Sequence, residues 1–431
     1  MVAVRATAVA AARQPVTTTK VGLAVAWHRS RELIAANLPI SSIDRSESIV
    51  APGTPEFEAL LDHKRFPRAD AGRLTWLVDG EAFFSELEHQ IASAQQSIDF
   101  QVYIFDRDDI AVRYADLLKR RSSDVQVNVL FDDLGSTLAY LSEPKTPAPR
   151  GFIPPSNMGT YLQADSKVRV RRILNPWLVC DHTKLLVFDH KTAILGGMNI
   201  GREYYAEWHD LMVRVEGPIV RSLSMEFDDA WRKAGPLGDF ALVRKPTRVP
   251  PITPAAGEIP LRMLRTDPAE GRYEMIRATL LAINGARKRV WIQNSYLAHD
   301  DIVSAAEAAA RRGVDVRIVI PSRSDSTVMQ AGNLATASAL IGAGAKVFMY
   351  PRMTHLKAMI CDDWATVGSA NFDTLSMRIN RELNIAFADQ ATIRELEARV
   401  FLPDFKKSKR LSRRDLTGVV NPLAETVADQ L

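Results

Sequence analysis

The sequence predicts an α/β protein built as two related halves, and three observations lead there. The string DHTKLLVFDHKTAILGGMN (181–199) recurs in altered form as THLKAMICDDWATVGSAN (354–371). Ahead of each copy stands the same frame: SIDFQVYIFDRDDIAVRYADLLKRR (97–121) parallels RVWIQNSYLAHDDIVSAAEAAARRG (289–313), and DVQVNVLFDD (124–133) parallels VDVRIVIPSR (314–323). Each frame reads as apolar strand, helix and alternating strand, the order of a βαβ unit. The length of 431 residues suits two such halves, each with its own core.

Taken in order, residues 1–70 form an N-terminal extension to which no chemistry is assigned. Its Ala-rich start is interrupted by Arg5 and Arg13 and lacks the apolar centre of a signal peptide. The first half spans 71–244, and its helix opens at Asp108-Asp109-Ile110 and closes in basic residues, as the helix dipole favours. The Pro-rich stretch 143–163 is read as a long surface loop that the second half lacks. Residues 245–260 are too rich in proline for a helix or central strand and read as a linker. The second half spans 261–405, followed by a basic tail, 406–431. Its run FKKSKRLSRRDL sets Phe405, Leu411 and Leu416 among basic residues, which suits either a solvated face or a peripheral anchor on anionic lipid.

Within the repeated motif, Leu185 to Phe188 read as a buried strand. Strand alternation puts His182 and Lys184 on one side, a costly pair in a dry core. His355 and Lys357 repeat the pair, Asp362 repeats Asp189, and Gly368, Ser369 and Asn371 repeat Gly196, Gly197 and Asn199. Five residues separate Asp362 from Gly368 where six separate Asp189 from Gly196, a difference that a shorter hairpin turn absorbs.

If the halves pack about a pseudo-two-fold axis, both motifs meet at one site. Two imidazoles, two ammonium groups and two Asn amides suit an anion with several oxygens, phosphate above all. One histidine would attack phosphorus while the other protonates the leaving alkoxide and later deprotonates the acceptor. That chemistry needs no metal or other cofactor, and His209 beside Asp210 has no Cys or second His at ligand spacing. Asp210 and Glu382, each 11 residues after the motif Asn, are candidates to orient the histidines. Gln101, Tyr103, Gln293, Asn294 and Tyr296 end the strands that open each repeat, and either line the pocket or pack the core.

Composition sets outer bounds. A pI near 9.0 leans toward anionic partners such as phospholipid headgroups or nucleic acid. Two cysteines, Cys180 and Cys361, make no disulfide framework. No stretch approaches the roughly 18 apolar residues that would span a bilayer.

His182-Thr-Lys184-LLVF-Asp189 with Gly196-Gly197-Met-Asn199, and His355-Leu-Lys357-AMIC-Asp362 with Gly368-Ser369-Ala-Asn371, resemble the phospholipase D superfamily signature over residues 74–405. The resemblance implies two fused α/β domains, each a mixed sheet flanked by helices, sharing an active site at their interface. It also implies a phosphohistidine mechanism lined by His, Lys and Asn, with Asp189, Asp362 and the motif glycines and Ser369 mainly structural. The odd offset of both aspartates from His and Lys agrees, placing them on the opposite face or in the turn. The stretches 76–98 and 196–218 look like bacterial cardiolipin synthases and related transphosphatidylases without N-terminal membrane spans. That likeness implies a phospholipid substrate and a bacterial protein, cytoplasmic or peripheral on the inner membrane. Oligomeric state stays open, as does the nucleophile, with a lean to His182. Alternatives are hydrolysis by a phospholipase D, a nucleic-acid phosphodiesterase and a lipid-binding pseudoenzyme. Nucleic acid is not the expected partner, because no dense basic stripe with interleaved aromatics flanks the motifs.

Overall fold

A computed structural model describes residues 2–35, 49–140, 146–243 and 253–416. The first repeat contributes β1 (Asp70–Val78), β2 (Ser97–Val102), β3 (Gln126–Asp132), β4 (Arg169–Ile173), β5 (Leu185–Phe188), β6 (Thr192–Gly196) and β7 (Leu211–Glu216). The second answers strand for strand: β8 (Ile259–Asp267), β9 (Arg289–Gln293), β10 (Asp315–Pro321), β11 (Lys346–Tyr350), β12 (Ala358–Cys361), β13 (Trp364–Gly368) and β14 (Glu382–Phe387). Hydrogen bonding orders them β11-β10-β9-β12-β13-β14-β8-β1-β7-β6-β5-β2-β3-β4, a palindrome about the β8–β1 pair. The pseudo-two-fold axis therefore passes through one continuous mixed sheet, joined where Asp70 to Gly72 pair with Leu261 to Ile259. Among these strands, β2–β3–β4 and β9–β10–β11, which crossover helices link, pair in parallel.

The continuous apolar runs of the motif strands follow from burial on both faces. Along β5, Leu186 and Phe188 face the core of their own repeat, with Phe83, Phe84, Leu87 and Phe100. Leu185 and Val187 face a second core, which Ala358 and Ile360 of β12 enter from the other repeat. Met359 and Cys361 turn back into the second repeat's own core. A core shared in this way fixes the two repeats rigidly against each other.

The differing motif spacing is taken up at the hairpin tips. Phe188 pairs with Thr192 across a three-residue turn, whereas Cys361 pairs with Trp364 across two. Both motif aspartates sit in these turns in left-handed backbone, Asp189 at φ 53° and Asp362 at φ 48°. The Asp189 carboxylate accepts the backbone N–H groups of Gln95, Gln96 and Ser97 at 2.6–2.9 Å. Asp362 does the same for Arg287, Lys288 and Arg289 at 2.8–3.0 Å. Each aspartate thus ties its turn to the entry of the neighbouring strand. Asp362→Ala would strand three N–H donors and is expected to lower the unfolding free energy by about 2–3 kcal/mol in urea denaturation. Activity per folded molecule should be unchanged.

Three segments depart from the sequence expectation. Within the supposed loop 143–163, Met158–Gln163 is a helix whose Met158 and Leu162 are buried in the first repeat's core; 143–145 lie outside the described residues. The linker reading is cut short, since β8 begins at Ile259; 245–252 lie outside the described residues. The anchor reading of the basic run fails for its apolar members. Phe405 packs against Trp291, Phe348 and Phe401, and Leu411 and Leu416 are buried in the second repeat's core. Between them β15 (Lys409–Arg410) extends the sheet beside β11, while 417–431 lie outside the described residues. Among the described residues the N-terminal extension contributes α1 (Val2–Arg13), α2 (Pro15–Ala35) and α3 (Pro55–His63).

Candidate active site

Each His-x-Lys segment is docked on the other repeat by backbone pairing. His182 donates its N–H to the carbonyl of Arg381 at 2.9 Å, and Arg381 returns one to Cys180 at 3.0 Å. Symmetrically, His355 donates to His209 at 2.7 Å and His209 to Met353 at 3.0 Å. The side-chain pairing crosses in the same sense. His182 Nδ1 lies 2.8 Å from Glu382 Oε1, and His355 Nδ1 lies 2.7 Å from Asp210 Oδ2. A carboxylate on Nδ1 holds the proton there and leaves the Nε2 lone pair for chemistry. The two candidate orienting acids therefore each reach the histidine of the opposite repeat, a crossing the sequence does not display.

The motif differences are coupled to these acids. Ser369 donates its hydroxyl to the second Glu382 oxygen at 2.5 Å. Gly197 occupies the equivalent place in the first repeat, where a Cβ would stand 2.2 Å from Asp210 Oδ1. The shorter acid thus goes with glycine and the longer one with serine. Gly196 sits against the Leu211 carbonyl, and Gly368 against the Leu383 carbonyl and Asn384, leaving no room for side chains.

Both ammonium groups lie close enough to His182 to act on its charge. Lys184 donates to the His182 carbonyl at 2.7 Å and sits 5.0 Å from the centre of the Tyr103 ring, which also meets His182 edge-on at 4.9 Å. Lys357 donates to Ser295 Oγ at 2.9 Å and to the His355 carbonyl. Trp208 and Tyr204 wall in His355, with ring centres 5.1 and 5.6 Å away. Asn199 accepts from Ile104 N–H at 2.9 Å and donates to the Tyr204 hydroxyl at 2.8 Å. Asn371 differs: its buried side-chain oxygen has no hydrogen-bond partner among the described residues.

Burial sets the protonation states. Desolvation, with the charges of Lys184 and Lys357, pushes the His182 pKa well below its ordinary value. His355 is lowered by burial and Lys357, but its Asp210 partner pulls the other way. Burial brings Lys184 down to about 7 and Lys357 down to about 8. Glu382 is raised by burial to about 7. The expected kcat/KM therefore falls as pH rises past about 7–8, with apparent values that belong to the coupled lysines. Lys184→Ala and Lys357→Ala should each reduce kcat by roughly 10²–10³; rates within tenfold of wild type would contradict that role.

Of the residues immediately before the two acids, sequence reading weighs His209 in EWHD only as a metal ligand and passes over Arg381 in INRE. Partly buried Arg381 is held by Asp181 and Glu226, both at 2.8 Å, and Asp267 at 3.3 Å. Burial works against its charge, but these carboxylates outweigh it and raise its pKa. His209 is held by Asp79 at 2.6 Å and Asp404 at 2.7 Å and stacks on Tyr350. Burial opposes its charge too, yet the two acids bring its pKa up to about 9. Of the strand-end candidates, Tyr103 alone contacts a motif His–Lys pair in the described contacts. Gln101 bonds Asp181, Gln293 bonds Thr354 and Asp404, Asn294 ties the backbone of Tyr296 and Phe372, and Tyr296 bonds Asp325.

The fold and crossed His–carboxylate pairs define a phospholipase D-type protein. A family model described as "Cardiolipin synthase, PLD-like domain" matches residues 87–231 and 280–401, and the chain belongs to that family. Cardiolipin synthase A of Pseudomonas fluorescens (strain SBW25) is 30% identical over 367 residues, covering 81% of this chain and 72% of that protein. Cardiolipin synthase A of Pseudomonas aeruginosa (strain LESB58) is 31% identical over 382 residues, covering 85% and 74%. Among solved structures, phosphatidylserine synthase of Haemophilus influenzae Rd KW20 superposes with a TM-score of 0.65 at 13% identity, covering 87% of this chain and 97% of that one. At that identity the likeness is one of fold.

Proposed function

We propose that this phospholipase D-type phosphatidyltransferase moves a phosphatidyl group to the hydroxyl of a second phospholipid through a covalent phosphohistidine, in the manner of a cardiolipin synthase. The observation that supports this most is the crossed pairing of His182 with Glu382 and of His355 with Asp210, which sets two opposed imidazoles beside two ammonium groups. His182, held neutral by burial and both lysines, is the nucleophile. Its Nε2 attacks phosphorus, and the bond to the leaving alkoxide breaks as His355, supported in its protonated form by Asp210, gives that oxygen a proton. His355 then takes the proton of the acceptor hydroxyl, whose oxygen displaces His182 from phosphorus. Lys184, Lys357 and the Asn199 and Asn371 amides stabilise the charge on the equatorial oxygens.

The donor comes from a bilayer that the protein meets peripherally in a bacterial cell. No helix among the described residues is long and apolar enough to cross a membrane. The test is mass spectrometry of products from purified protein and phosphatidylglycerol in mixed micelles. Cardiolipin with free glycerol is expected; phosphatidic acid alone would make the protein a hydrolase.

A further inference from the structure

We propose that the outward face of α2, with the neighbouring turn at 237–240, is the surface that docks the protein on an anionic bilayer. The inference rests on the phospholipid reading above. Helix α2 has two apolar stripes where a surface helix ordinarily has one. Val21 packs inward with Val179, Ala269 and Ile379, and Thr18 and His28 are buried on the same side. On the opposite side stand Val16, Leu23 and Trp27, within about 40° of one another on the helix. They are 51%, 68% and 62% exposed. Beside them Leu237 and Phe240 are 59% and 64% exposed, on a turn that Asp239 fastens to Thr17.

Charge names the occupant. Residues 1–35 hold five Lys or Arg and one Glu, while the rest of the chain carries fifty of each sign. The whole formal net charge of +4 thus resides in the helices that bear the exposed stripe. Where α1 meets α2, Arg13 joins Arg171 and Arg172 around a cleft of about 550 Å³, where Asp133 pairs with Arg172 at 2.9 Å and leaves the lining with a net positive charge. An apolar stripe carrying a tryptophan, on a helix pair of net positive charge, matches an interfacial helix on anionic lipid. A second protein copy would bring the same positive charge to the contact and be repelled.

The placement also suits delivery of substrate. The Trp177 indole N–H donates to the Thr18 carbonyl at 2.9 Å, and Val179 packs on α2 three residues before His182. A bilayer seated on α2 would lie beside the segment that leads into the nucleophile.

The test is flotation of the full-length protein with phosphatidylcholine vesicles containing or lacking phosphatidylglycerol. Wild type is expected to float with the anionic vesicles, and Leu23→Glu/Trp27→Glu to lose about tenfold or more in partitioning. Turnover of a monomeric short-chain phospholipid should stay unchanged, which controls for folding, and Leu23→Ala/Trp27→Ala should fall between. Equal partitioning of wild type and both variants would overturn the proposal, as would no partitioning of wild type, or a dimer in sedimentation that the variants split. Anionic binding without lipid product would uphold the docking face and sink the transferase reading instead.

Discussion

Replacing His182 or His355 with alanine is expected to abolish measurable turnover, a loss of at least about 10³-fold, while the fold persists. Either loss removes a whole chemical role, because one residue bonds to phosphorus and the other moves the protons. The double variant should be no worse than either single one, as groups acting in one step are not additive. Each backbone N–H bonds across to the other repeat, and alanine keeps that bond and the docking of the two segments. Far-UV circular dichroism should therefore match wild type. Near-normal turnover by either variant would refute the two-histidine scheme.

The second large effect falls on stability. Arg381→Met would leave Asp181, Glu226 and Asp267 without their shared counter-ion in a buried site. Breaking a buried ion cluster by removing one partner costs roughly 3–5 kcal/mol. Because Arg381 also carries the carbonyl that receives His182 N–H, turnover should fall with stability. The pH dependence has a definite sign. Burial raises the Asp181 pKa, so lowering the pH protonates that carboxylate once its counter-ion is gone and should shrink the deficit. A loss under about 1 kcal/mol in chemical denaturation would show that the cluster does not hold the repeats in place.

What could be read from the sequence followed local rules. The strands around both motifs were legible because Leu185 to Phe188 and Ala358 to Cys361 are unbroken apolar runs, buried on both faces. The duplication announced the symmetry that the strand order displays. The crossing of Asp210 to His355 and of Glu382 to His182 was not legible, since it depends on how two repeats meet across β1 and β8. The ion clusters of Arg381 and His209 were not legible for the same reason, their partners lying in distant elements. The run 405–416 misled because charge dominates its composition, while Phe405, Leu411 and Leu416 use the spaces between the charges to reach the core. The exposed stripe of α2 was invisible without the partners that cover its other side.

The most direct test of a shared two-histidine site is to catch the covalent intermediate. The His355→Asn variant would be incubated with a p-nitrophenyl phosphodiester analogue of phosphatidic acid, whose good leaving group departs without a proton from the general acid. Digestion and mass spectrometry should then find the phosphatidyl mass on the peptide bearing His182, and on none in His182→Ala. Adduct on another residue, or p-nitrophenol release at wild-type rate without adduct, would contradict the account.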